Sequence, residues 1–280
     1  MRKSIGIFTL ICLVTAGAFA ASSRDDEILA RARKLQLEFR QGNQQVVGPL
    51  VKSLETSVAQ SPDNWQLWQA LGNAYMSQQG VLYQSQPDPA ALIAVGERAR
   101  DAYAHALARN KENALLLASH GMAGMSISTL KQDSPGLMAS IEEMNSAVRQ
   151  APQSTGVRLT RGFTIIHLPV GVRDTAAVIE DLNHVMATGP GERPEDVLHV
   201  LLGDVYAETG ALDAARREYA QVTGASSFAA EQVSARLNDL TKGAVSPAGI
   251  GLVRAGLGSG CAMCHAPGTD NPGPDKQHGG

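Results

Sequence analysis

Aromatic side chains are scarce in this sequence: five Phe, five Tyr and two Trp among 280 residues, 4% in all. A β-sandwich draws on aromatic and β-branched residues for its pleated faces, so their shortage beside abundant alanine points to close-packed helices. Cysteine is scarcer still, with three copies at Cys12, Cys261 and Cys264. Long apolar runs are few as well. The clear one, Ile5 to Val14, is shorter than the roughly 20 residues a comfortable membrane span requires. Basic clusters are missing: 24 Lys and Arg are interleaved with 27 Asp and Glu, as on solvated helix surfaces, which leaves a nucleic-acid role without its electrostatic footprint.

What is present at the N-terminus reads as an address. Arg2 and Lys3 precede the apolar run, and Ala18, Phe19 and Ala20 supply a small-x-small ending, so residues 1–20 are expected to be a cleaved secretory signal peptide. An uncleaved anchor is the alternative. Ile11 before Cys12 argues against a lipoprotein acylation site. Removal of the leader takes two basic residues and leaves 22 basic against 27 acidic, with no membrane span in the mature chain and the periplasm as its compartment. It also takes Cys12. The two thiols that remain stand three positions apart in an oxidising compartment, too close for a disulfide framework, and need a chemical explanation.

Residues 21–62 carry two helical patterns. Ile28, Ala32, Leu35, Leu37 and Phe39 form the first and Val46, Val47, Leu50, Val51, Leu54 and Val58 the second, with Gly42 and Asn43 at the turn. From residue 63 to 240 helical units recur. The clearest places Leu202, Gly203 and Tyr206 on one helix, Gly210 at a turn, and Ala215, Tyr219 and Val222 on the next. Trp68, Leu71, Gly72 and Tyr75 followed by Ala99, Tyr103 and Ala106 repeat that grid, with an expected insertion near Gly80 to Pro89. Two degenerate units lie between, Gly121 with Ser140, Met144, Ala147 and Pro152, then Gly162 with Ala177, where Asp181 and His184 occupy positions usually apolar or small. The segment Ser227 to Leu240 reads as a capping helix. This grid resembles the tetratricopeptide repeat (TPR) over about three-fifths of the mature chain, and the resemblance implies an all-α solenoid of helical hairpins.

After residue 240 the composition turns to Gly, Ala, Ser and Pro, so residues 241–280 are expected to be an irregular linker and tail. Within it stands Cys261, Ala262, Met263, Cys264, His265. In C-x-x-C-H two thiols can add across the vinyl groups of one porphyrin while the next imidazole becomes the proximal iron ligand. One covalent haem c is the expected cofactor; a thiol-disulfide pair, half of a zinc site and coincidence are the competing readings. The five residues resemble the attachment site of c-type cytochromes, but only 15 residues follow His265 and none is Met, so the tail cannot enclose a haem by itself. His278 is the first candidate for distal ligand, ahead of an open or water-bound site and of Met122 or Met125.

The resemblance to tetratricopeptide repeats also implies a concave surface, lined by Gln66, Gln69, Asn73 and Met76, by Leu115, Ala118, Met122 and Met125, by Leu159, Phe163 and Ile166, and by Val197, Val200 and Asp204. The partner groove is expected at Met76, Leu115, Met122, Met125, Phe163 and Val200. These are apolar and methionine-rich, and so suited to an apolar object, although core filling is the plainer role for each methionine. The helical histidines read as packed or solvated residues with no ligand role, and the pairs Asp25 with Asp26 and Glu142 with Glu143 as solvated helix charges. No catalytic motif stands out. The expected activity is therefore electron transfer with a docked redox or envelope protein; the alternatives are a non-redox scaffold that assembles an envelope complex, and a haem enzyme with an open iron site.

Overall fold

The computed structural model describes residues 24–39, 42–85, 88–169, 171–189, 195–223, 227–245 and 248. Among these the chain is all helical. Helix α1 (24–39) is followed by a 3-10 turn, Gln44–Val46, and by α2 (Val47–Gln60), the pair expected at the N-terminus, with Gly42 at a φ of +99° in the turn. Nine more helices follow: α3 (Trp65–Ser85), α4 (Pro89–Arg109), α5 (Ala114–Lys131), α6 (Ser134–Gln150), α7 (Thr155–Ile165), α8 (Thr175–Thr188), α9 (Glu195–Glu208), α10 (Leu212–Ala220) and α11 (Ser227–Thr241). In the expected insertion between Gly80 and Pro89, residues 80–85 continue α3 and Pro89 begins α4. Both helices are 21 residues long.

Local chemistry sets where these helices begin. Asp88 accepts from the Ala90 amide with Pro89 next to it, Asn113 from Leu115 and Leu116, Asp133 from Gly136, Ser154 from Val157 and Asp174 from Ala177. Five successive helices thus start on a side-chain cap that satisfies amides with no intrahelical partner.

The pairs α3–α4, α5–α6, α7–α8 and α9–α10 pack as hairpins, and each hairpin packs on the next, with α11 against α9 and α10. Both units that look degenerate in the sequence therefore fold as hairpins. One core cluster spans α1 to α4 and reaches Ala123 of α5, and a second spans α5 to α9, with Met122 of α5 half-buried against both.

Close approach within the hairpins follows one register. The glycine of the first helix faces the fourth residue beyond the small position of the second: Gly72 meets Tyr103, Gly121 meets Met144 together with the Ser140 carbonyl, Gly162 meets Asp181 and Gly203 meets Tyr219. A Cβ on Gly203 would fall 2.3 Å from a ring carbon of Tyr219, and one on Gly72 2.6 Å from Tyr103. Gly203→Ala is expected to lower stability by about 1–3 kcal/mol through overpacking. Gly48→Ala, where nothing lies within 4 Å, serves as the control and should be neutral or slightly stabilising in urea unfolding.

Candidate functional site

The haem motif, Cys261, Cys264 and His265, and the candidate distal ligand His278 lie outside the described residues. Met76, Met125 and Val200, expected to line the groove, are core residues at 4%, 2% and 0% exposure. Leu115, Met122 and Phe163 are half-buried. The apolar surface expected of the six is thus presented by three at most, and the other three back it from within. Val197 is equally enclosed, and Asp204 is a buried structural anion.

At the other end of the solenoid the inner face is open and amide-rich. Gln66 and Asn73 are exposed and Gln69 half-exposed, and with Leu29, Ala32, Arg33, Gln36 and Trp65 they border a groove of about 270 Å³ between α1 and α3. Its depth is supported by Tyr103, whose hydroxyl donates to Asn73 Oδ1 at 2.7 Å.

Three buried polar clusters organise the C-terminal half. Asp181 of α8 is fully enclosed and accepts from Arg161 Nε at 2.7 Å and Nη2 at 2.9 Å and from Arg158 Nη1 at 3.0 Å. Burial pushes the Asp181 carboxyl above its ordinary value, and the hydrogen bonds and charges of Arg161 and then Arg158 oppose it. Asp204 of α9 accepts from the Tyr219 hydroxyl at 2.8 Å and from Arg236 Nη2 at 2.9 Å, with a further bond from Arg236 Nε, and so ties α9, α10 and α11 together. Arg173, 2% exposed in its side chain, pairs with Glu208 and donates to the carbonyls of Ile166 and Leu168 just past α7.

The helical histidines are structural partners. His120 Nδ1 lies 2.7 Å from Glu143 and His199 Nδ1 2.8 Å from Glu218, each linking the two helices of a hairpin, while His105 stacks on Trp68 at 4.3 Å. Two carboxylates expected to be solvated have partners within the fold, and one of them, Asp25, is enclosed. Glu143 is held by His120, and Asp25, 8% exposed, accepts from Ser61 and Asn64. Among the described residues no group of three or more His, Cys, Asp or Glu is placed to hold a metal, and no helix is long and apolar enough to cross a membrane.

Tyrosine burial gives the fold an alkaline limit. Burial pushes the Tyr103 hydroxyl well above its ordinary value, and burial, then the charge of Asp204, does the same for Tyr219. Tyr75 is pushed up to about 12, by burial and then by its bond to Glu55. The stabilisation tied to these groups is complete below the unfolded value near 10 and is lost as pH rises through the folded values, because the unfolded chain ionises first. Stability is expected to fall above pH 10, by up to about 1.4 kcal/mol per pH unit from Tyr103. Tyr103→Phe should remove that share; a profile flat from pH 10 to 12 would contradict it.

No protein-family model and no curated protein sequence matches this chain. A solved structure does: a thermophilic TPR protein from Thermus thermophilus superposes with a TM-score of 0.56 at 13% identity, covering 75% of this chain and 99% of that one. At that identity the likeness is one of fold. Together with the hairpin register it makes this chain a TPR-like helical solenoid.

Proposed function

We propose that this TPR-like solenoid is a periplasmic protein that docks a protein partner and carries one covalent haem c on its C-terminal arm, exchanging electrons with that partner. The observation that carries the reading is the sequence Cys261, Ala262, Met263, Cys264, His265 behind an N-terminal leader pattern. The donor set has the chemistry haem c requires: two thiols at thioether spacing and one imidazole next to them. A bound haem would supply a one-electron couple. The protein's own share is to hold the arm and to offer a docking surface.

The inner face supports a particular kind of docking. With Met76, Met125 and Val200 enclosed, the more accessible part is the amide-lined stretch of Gln66, Gln69 and Asn73 beside Arg33, which can hydrogen-bond an extended peptide. The test is the optical spectrum of the secreted protein through a reductive titration. A reversible one-electron change in a low-spin haem spectrum is expected, with His278→Ala converting it to high-spin. A spectrum without haem bands leaves a non-redox scaffold, and a high-spin parent spectrum removes His278 as ligand.

A further inference from the structure

Past α11 the chain meets the solenoid again at Ala248. Helix α11 ends at Thr241, and seven residues later the backbone is back against α9: the Ala248 amide donates to Glu208 Oε1 at 2.8 Å, and Ala248 is 2% exposed within the second core cluster. Glu208 Oε2 takes Arg173, and Arg173 closes the end of α7 through the carbonyls of Ile166 and Leu168. One buried ion pair therefore fixes the C-terminal ends of α7 and α9 side by side. Its carboxylate keeps an oxygen free to receive the arm, as a charge-assisted bond.

Beyond Ala248 the sequence continues Gly249, Ile250, Gly251, Leu252 and Val253, an aliphatic run in an otherwise small and polar tail. Beside the seat stand two half-buried aromatics on the same cluster: Phe163, one turn before Ile166, and Tyr206, two residues before Glu208. Extended chain covers roughly 3.4 Å per residue, so Val253 reaches at most about 17 Å from Ala248, about three turns of α7. The aromatics lie within that radius.

We propose that the ends of α7 and α9 bind residues 250–253 of this chain's own arm, with Ala248 as first anchor and Phe163 and Tyr206 as the apolar floor. The arm is thus docked rather than free, and the Cys261 to His265 motif is held near this end of the solenoid, with Cys261 within roughly 27 Å of Val253 and His265 within roughly 41 Å. The docking stands apart from the haem reading, although it sets where a haem would be offered to a partner.

A photo-crosslinking benzoylphenylalanine in place of Leu252, in the full secreted chain, tests it. Intrachain crosslinks to peptides carrying Phe163, Ile166 or Tyr206 are expected, and they should persist when Cys261 and Cys264 are both replaced by Ala. Crosslinks between chains, or none to α7 and α9, overturn the proposal. In parallel, Leu252→Asp with Val253→Asp should speed hydrogen exchange at residues 163–169 and 204–208 on the order of tenfold; unchanged exchange overturns it as well. A chain found to carry no haem sinks the redox reading and leaves both of these outcomes intact.

Discussion

Asp181→Ala is expected to lower the unfolding free energy by about 3–5 kcal/mol, the cost of breaking a buried ion pair from one side. The carboxylate is 0% exposed and holds two guanidiniums that are themselves only 9% exposed. The two arginines do not suffer equally. Arg158 keeps the exposed Glu180 and the Pro152 carbonyl, whereas Arg161 keeps only the amide oxygen of Asn145. Arg161→Met in the Asp181→Ala background should therefore recover part of the loss, while Arg158→Met recovers less. A loss under about 1 kcal/mol in urea unfolding would mean that the guanidiniums reach water and that the cluster is not closed.

Asp204→Ala is expected to cost a similar amount, about 3–5 kcal/mol, with a different signature. Its carboxylate joins three helices through Tyr219 and Arg236, whose side chain is 4% exposed. Without it Arg236 retains Gln232, a residue of its own helix, so α11 loses its charge anchor on α9. Hydrogen exchange should show α11 and α10 losing protection before α3 to α6. Tyr219→Phe, which removes one hydrogen bond and leaves the ion pair, should cost about 1 kcal/mol. Equal loss of protection across all hairpins would contradict the separate role assigned to this cluster.

The hairpins were legible because each repeats a local signal. Gly72 and Tyr103 in one unit and Gly203 and Tyr219 in another mark the grid, whereas the caps Asn113, Asp133, Ser154 and Asp174 emerge only in the structure. Asp181 was visible only as an anomaly. Its partners Arg158 and Arg161 stand 23 and 20 residues earlier, and no local pattern states that a hairpin will bring them together.

The inner face departs from an idealised repeat for a similar reason. An idealised repeat leaves that face open, but α9 is buried nearly all round, at Val197, Leu198, Val200, Leu201, Leu202 and Val205, with α11 and Ala248 packed on the same cluster. The warning was present in the sequence, since a helix apolar on every side is an enclosed one. The return of the arm to Glu208 had no such signal, because Ser, Pro and Ala in a linker do not encode where the linker lands.

The most direct test of the account is the mass of the protein secreted by a host with active cytochrome c maturation, read together with its pyridine haemochrome spectrum. The account predicts a gain of one haem per chain on a product lacking residues 1–20, lost when Cys261→Ala and Cys264→Ala are combined. A colourless protein with two free or disulfide-linked thiols would contradict it.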